Sequence, residues 1–327
     1  MSRLVIPTLE PIEFKLVQIH DEGIDRFAQI LAQQSPKVAM YTDYQLHPKP
    51  TDPRCPNWIF LIDSLNFSFW NEDPSRVFSV SLGDGGPPST GYASICAIIW
   101  RALDEGYPMT DAAFWRDLDE PTWRHVARGD CCEIPLILKR LEIINATGAT
   151  LCSEFGGDFA NLISKADRDV YRVLELVLDY FPPFRDQTPD GQYKFLKRAQ
   201  ILIADLWSCF DGKGIGKFDN INEVTMFADY RVPQSLLNLG IISYSEKLLS
   251  TLADGQKLNE LNENVVLFGR EEIEIRASSI LAVDRVQKRL GPSSPWNSIL
   301  IDFYLWNYSK TIDRKSYPFH RVRSIYY

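Results

Sequence analysis

Between residues 192 and 240 the chain places Lys197, Asp205 and Asp229 inside otherwise apolar, helix-patterned runs. Taking an ionised side chain out of water costs about 3–5 kcal/mol when its partner is missing, so each of the three needs a partner or a task. The run QYKFLKRAQILIADLWSCF reads as a helix, because Phe195, Leu196, Ala199, Leu202, Ile203 and Leu206 recur at spacings of three and four. Lys197, Ile201 and Asp205 then share one adjoining edge. At a rise of about 1.5 Å per residue the lysine and this aspartate lie roughly 12 Å apart, too far for a simple ion pair. Downstream, Met226, Phe227 and Tyr230 surround Asp229, and Pro233 either kinks a helix or sits in the first turn of the next, SLLNLG. A carboxylate at such a break can face a cavity. Spacing alone leaves two readings open: a site, or Asp229 accepting hydrogen bonds from a helix start while Lys197 snorkels to solvent.

A chain of 327 residues with 45% hydrophobic content supports a sizeable core. Its net charge of −8 argues against a duplex-binding surface, which depends on clustered Lys and Arg, so a nucleic-acid-like ligand is expected to be small. The six cysteines form no CxxC pair and have no histidine at ligand spacing. That pattern predicts no zinc site and no disulfide framework, but reduced thiols in a cytosolic or nuclear protein. No signal-peptide-like run opens the sequence, and the longest apolar helix candidate, 92–100, falls short of the roughly 18 residues of a membrane span. No membrane association is expected, and no pattern speaks to oligomeric state.

Helix signals predominate, over residues 23–34, 91–105, 135–144, 170–181, 271–290 and 296–308, with Thr110 as the cap of a further helix. Strand-like alternation is brief, at 272–276 and within 58–70. GDGGPPSTG at 83–91 lacks the lysine of a phosphate loop and reads as a turn, and polar breaks at 185–192 and 253–264 read as surface loops. The expectation is one compact, mostly α domain over residues 1–327, with few short strands and room for two lobes around a cleft.

Two further stretches carry candidate binding residues. LNFSFW sets Phe67, Phe69 and Trp70 beside Asn66, a combination that can sandwich a flat heterocycle and hydrogen-bond its edge, or simply pack a core. Residues 309–327 hold five Lys/Arg against one acid in an acidic chain. That inversion of sign suggests an anion site at His320, Arg321 and Arg323, with Arg231 and Arg276 as further candidates, or else a surface ion-pair cluster. The apolar residues Ile325, Tyr326 and Tyr327 imply that this end docks.

LNFSFW, GYASICAIIWRALDEG, KRAQILIADLW, FADYRVPQ, EIRASSI, DFYLW and PFHRVRSIYY together resemble the queuosine salvage family, the queuosine 5′-phosphate N-glycosylase/hydrolases, from about residue 55 onward. The resemblance implies a helical fold similar to the helix-hairpin-helix DNA glycosylases, release of queuine from queuosine 5′-monophosphate, and neither metal nor cofactor. It matches the family's catalytic aspartate to Asp229 and its active-site lysine to Lys197. Asp205 is then expected to bind substrate with the candidates above. Two other classes fit parts of the pattern: a DNA or RNA repair glycosylase, which needs a basic groove, and a helical interaction protein, which leaves the buried charges without a purpose.

Overall fold

Helix starts are written into this sequence as side-chain caps. Asp111, Asp119, Asp158, Asp169 and Asn297 each sit in extended backbone and accept a hydrogen bond from an N–H of the turn that follows. A computed structural model describes residues 4–73, 75–83, 85–253, 257–260, 268–313 and 316–327, with the backbone alone described at 257–260. Its helices are α1 (Ile6–Leu9), α2 (Asp21–Ala32), α3 (Cys55–Ser64), α4 (Tyr92–Asp104), α5 (Ala112–Asp117), α6 (Glu120–Val126) and α7 (Ile137–Phe155). There follow α8 (Phe159–Lys165), α9 (Val170–Tyr180), α10 (Lys197–Cys209), α11 (Val232–Asn238), α12 (Glu246–Ala253), α13 (Arg270–Leu290) and α14 (Ser298–Tyr308). The strands form three short pairs. β1 (Val17–Ile19) runs antiparallel to β4 (Ile242–Tyr244), β2 (Ser79–Val80) antiparallel to β3 (Ser89–Thr90), and β5 (Lys257–Glu260) parallel to β6 (Arg321–Arg323).

The mostly helical expectation therefore holds, with local corrections. The cap ahead of α5 is Asp111 rather than Thr110, because its carboxylate accepts the Ala113 N–H at 2.9 Å. α7 runs past Ile144 to Phe155. It passes close beneath α5 at Gly148, where a Cβ would lie 2.5 Å from the Arg116 nitrogen and 2.7 Å from the Ala112 carbonyl. Neither stretch with strand-like alternation is a strand: 58–64 belong to α3 and 272–276 to α13. The alternating charges Glu272, Glu274 and Arg276 mimic strand patterning because all three are buried, rather than because every second residue faces water. Of the polar break at 253–264, residues 254–256 and 261–264 lie outside the described residues.

α13 runs through the middle of the molecule and is buried from Glu274 to Asp284. Ala277, Ser278, Ser279 and Ala282 keep its surface small, and α2, α11 and α14 pack against it. The serine hydroxyls return to the Ile275 carbonyl at 2.9 and 2.8 Å, so their burial leaves no donor unmet. Glu274 has a larger structural role. Its Oε2 accepts the backbone N–H groups of Lys15, Leu16 and Val17 at 2.8, 2.6 and 3.2 Å, fastening the start of β1 to α13. Among the described residues no helix is long and apolar enough to cross a membrane. Glu274→Ala strands the buried Val17 donor and the partly buried donors of Lys15 and Leu16, at a cost of about 1–3 kcal/mol for a fully buried one and less for the others. Thermal and urea denaturation should show a loss of about 1–3 kcal/mol or more, and a change under about 1 kcal/mol would remove this anchor from the account.

Candidate active site

A cavity of about 300 Å³ opens between α10, α14 and the 3₁₀ turn at Val38–Asp43. α10 lends it Lys197, Ile201 and Asp205, the edge that the sequence spacing predicts, while the rest of that helix is buried on other sides. α14 contributes Asp302, Phe303, Trp306 and Asn307, and the exposed Lys310 follows at the mouth. Tyr41, Tyr44, His47 and Tyr92 form an aromatic wall. Asn66, Phe227 and Asp229 enter from irregular segments.

Each charged group is held by identifiable bonds. The Lys197 ammonium donates to the Asn66 carbonyl at 3.0 Å. Asp229 Oδ1 accepts the Arg231 and Val232 N–H groups, both at 2.8 Å, at the start of α11, where Pro233 lies in the first turn. That capping leaves Oδ2 for the cavity. The segment before Asp229 has no regular structure, so side chains must satisfy its backbone. Gln200 Oε1 accepts the Thr225 N–H at 2.8 Å, Asp302 Oδ2 the Phe227 N–H at 2.9 Å, and the Ala228 carbonyl accepts from Arg276 at 3.0 Å. In the aromatic wall, His47 Nδ1 lies 2.7 Å from the Tyr41 carbonyl, which only accepts, so Nδ1 carries the proton. Nε2 then accepts the Tyr92 hydroxyl at 2.8 Å, and burial lowers the imidazole pKa to about 4, keeping it neutral.

The electrostatics separate the carboxyl groups. Burial lowers Lys197 to about 8, against the pull of Asp229 and then Asp63. Burial also raises Asp229, but the Lys197 charge and the two N–H donors pull it back. Asp302 is raised well above the carboxylate range by burial and then by the Asp229 charge, and Asp205 by burial and then by Asp63. Asp63, fully buried, is raised by burial to about 7. Of the three buried carboxyl groups that line the cavity, Asp229 is therefore the best compensated, while burial and neighbouring carboxylates push Asp205 and Asp302 well up. Groups whose environments push their pKa values apart in this way mark acid and base roles.

Only four of the sequence candidates meet in the cavity wall: Asn66, Lys197, Asp205 and Asp229. The structure places the others elsewhere. Phe67 lies under the guanidinium groups of Arg140 and Arg198 at 4.2 and 5.1 Å, and Phe69 under Arg140 at 5.3 Å. Trp70 joins Tyr230, Val322 and Tyr327 in a small separate core. Arg323 stacks on Trp70 at 3.6 Å and donates to its carbonyl at 2.9 Å. Arg321 sits in β6 over Phe319 at 5.7 Å, and His320 is buried with its pKa lowered to about 3, so it holds no charge for an anion. Arg231 lies over Phe319 at 5.0 Å and donates to Gln234 at 3.0 Å. Arg276 is engaged by Asp186 at 2.9 and 2.6 Å. The chain end docks through Ser68, which donates its N–H to the Tyr327 carbonyl at 2.9 Å and its hydroxyl to the Ser324 carbonyl at 2.7 Å. These residues are outside the cavity because each basic or aromatic group is already matched to another.

A family model described as queuosine salvage protein matches residues 46–327. The chain belongs to that family. It is 40% identical to the queuosine 5′-phosphate N-glycosylase/hydrolase of Bos taurus, covering 95% of this chain and 94% of the bovine protein. It is 39% identical to the Schizosaccharomyces pombe protein of the same name, over 89% and 88% of the two chains. To that of Sphaerobacter thermophilus it is 35% identical, over 83% and 81%. Against this family background, Tyr41, Tyr44, His47, Tyr92, Asp302 and Lys310 are among the cavity residues that sequence reasoning did not select. Two had a signal: Asp302 as an acid inside the apolar run SILIDFYLW, and Lys310 as a member of the basic run at 309–327. Among the described residues no group of three His, Cys, Asp or Glu side chains is placed to hold a metal ion.

Asp229 is the largest charge favouring the Lys197 ammonium, so Asp229→Asn should move the lysine's titration below its value of about 8. Nuclear magnetic resonance of the isotopically dimethylated lysine reads this directly. An unchanged midpoint would show that the two groups do not act on one another.

Proposed function

We propose that this cavity hydrolyses the N-glycosidic bond of queuosine 5′-phosphate and releases queuine, the activity named for the chain's relatives. The observation that carries the reading is one aromatic-walled cavity holding a carboxylate with a free oxygen, Asp229, beside a buried ammonium, Lys197. Breaking the bond leaves positive charge on the ribose, and Asp229 Oδ2 beneath the anomeric carbon stabilises it. Water then adds to that carbon, and its proton passes to Asp229. The base departs with the bonding electrons and needs a proton or hydrogen bonds in return. In a 7-deazaguanine the purine ring nitrogen that would take that proton is a carbon, so the help must come at another edge. Asp205, whose pKa burial pushes up, and the Tyr41 hydroxyl, which has no hydrogen-bond partner among the described residues, are the lining groups we assign to offer it. Lys197 keeps Asp229 ionised and supplies positive charge toward the departing base.

The phosphate end is assigned to Lys310. With the C-terminal arginines engaged elsewhere, Lys197 and Lys310 are the cationic side chains of the cavity wall, and Lys310 stands at the mouth. Its ammonium lies 3.5 Å from the Trp306 ring centre and donates to Asn307 at 3.0 Å. A repair glycosylase acting on a strand needs many phosphate contacts, and a net charge of −8 with one lysine at the mouth favours a single nucleotide.

Incubation with queuosine 5′-monophosphate, queuosine and a queuosine-containing oligonucleotide tests the reading. Free queuine should appear from the nucleotide, and release from the oligonucleotide alone would sink the assignment. Asp229→Asn should lower turnover by about 10²–10³-fold with nucleotide binding retained. Lys310→Ala should cut the preference for nucleotide over nucleoside in kcat/KM by roughly ten- to a hundredfold, whereas Arg321→Ala should leave it intact. The pH profile should fall on the acid side as Asp229 is protonated, above the usual carboxylate range, and on the alkaline side near 8 as Lys197 loses its proton. A rate that rises through pH 8 would make the lysine a neutral nucleophile instead.

A further inference from the structure

Arg276 is fully buried and outside the cavity wall, yet its guanidinium reaches the backbone on both sides of the chemistry. Nη1 and Nη2 donate to the two carboxylate oxygens of Asp186 at 2.9 and 2.6 Å, and Nε donates to the Ala228 carbonyl at 3.0 Å. The rings of Phe195 and Tyr327 cover it at 4.2 and 4.0 Å. Asp186 Oδ2 also accepts the Lys197 N–H at 2.9 Å, and the Asp186 carbonyl accepts the N–H groups of Phe195 and Leu196 at 2.9 and 3.0 Å. Ala228 directly precedes Asp229. One planar fork thus joins the first residue of α10 to the segment that carries the carboxylate.

The backbone at this joint is strained. Leu196 adopts the left-handed conformation, with φ of 53°, immediately before Lys197. For a leucine that costs on the order of 1–3 kcal/mol and persists only where the surroundings over-determine it. Asp186 supplies the restraint through bonds to three successive N–H groups, and Arg276 in turn fixes Asp186. Release of the clasp lets Leu196 relax and turns the start of α10 away from the 225–229 segment.

We propose that Asp186 and Arg276 form a positioning clasp that sets the separation of the Lys197 ammonium from the Asp229 carboxylate, without touching substrate. The proposal rests on the catalytic reading of those two residues. An ordinary core ion pair would contribute stability alone, and an anion-binding arginine would need donors turned to the cavity, whereas these three are turned to Asp186 and Ala228.

The test compares wild type with Arg276→Lys, Asp186→Asn and the double variant, each checked for folding by circular dichroism. A lysine keeps the charge but cannot span both partners. The expected result is a kcat lower by about ten- to a hundredfold with KM changed less than about threefold, as for a small misplacement of catalytic groups. The double variant should be no worse than the poorer single one. As the charges separate, the acid limb should move up and the alkaline limb down, narrowing the pH profile. Of the other charges acting on this pair, Asp63, Asp302 and Arg231 keep their partners in these variants, as does Asp205. Asp186→Asn also removes a charge that supports Arg198, so Arg276→Lys, which keeps both charges, is the deciding arm for the pH profile. Glu272→Gln removes the second carboxylate near Arg276, at 3.6 Å, but neither backbone tie, and should lower stability with kcat kept within about twofold. Full kcat in folded Arg276→Lys, or a raised KM at constant kcat, overturns the clasp, the latter by placing Arg276 on substrate. Amide hydrogen exchange separates this outcome from failure of the catalytic reading. Arg276→Lys should speed exchange at 196–198 and 228–230 together even if Asp229→Asn proves active, and exchange faster at one segment alone also overturns the proposal.

Discussion

The cost of keeping a charge on Lys197 in a buried position organises the surroundings of the cavity. Removing an ammonium from water carries a penalty of several kcal/mol. The Asn66 carbonyl and the Asp229 and Asp63 charges offset part of it, burial still lowers the Lys197 pKa to about 8, and a second ionised carboxylate nearby would mainly repel the first. Asp63, Asp205, Asp229 and Asp302 all act on this ammonium or on one another, and burial pushes the pKa of each one up. Asp229 is favoured first by the Lys197 charge and then by two backbone N–H groups on one oxygen, whereas Asp302 has one such donor and no hydrogen bond to Asp205 is seen among the described residues.

The same accounting explains the C-terminal end of α3. Its last carbonyls and those just beyond carry the negative end of the helix dipole, and they face three buried cations. Arg198 donates to the Ser64 carbonyl, Lys197 to that of Asn66, and Arg140 to those of Leu65 and Phe67. Among the described residues no carboxylate pairs with Arg140, and burial lowers its pKa to about 9, yet the carbonyls and the faces of Phe67 and Phe69 hold it in place. LNFSFW is thus a cation-bearing turn. Its aromatic rings shield arginines, and of its two polar residues Ser68 ties down the chain end while Asn66 lines the cavity.

Much of this was legible in the sequence. Lys197, Ile201 and Asp205 fall on one edge because the α10 period is regular, and Pro233 sits in a first turn as its fixed φ requires. The docked chain end follows from its apolar residues. What was not legible is pairing. A count of basic residues near the C-terminus does not reveal that Arg323 is spent on Trp70, or that Arg276 is matched to an aspartate in a polar break that reads as a surface loop. Tyr41 and His47 escape because a short 3₁₀ turn and the irregular chain after it have no periodicity to detect. Asp302 hides in a helix that is apolar on nearly every side.

The working carboxylate sits at an irregular junction, and its location follows from the same donor count. Inside a helix the backbone N–H groups are already bonded to carbonyls four residues back, so a carboxylate such as Asp205 finds no donors on its own element, and burial pushes its pKa up. At the start of α11 the first N–H groups are unpaired by construction, and Asp229 takes two of them on Oδ1 while Oδ2 stays free. The junction lacks the rigidity of a helix, since the backbone bond seen within 225–229 is that of the Asp229 N–H to the Phe227 carbonyl at 2.7 Å. Gln200 from α10, Arg276 from α13 and Asp302 from α14 restore it, each meeting one backbone group between Thr225 and Ala228. A group ionised by a helix start and immobilised by three other helices is held both charged and in register. Neither a helix interior nor an unsupported loop provides both.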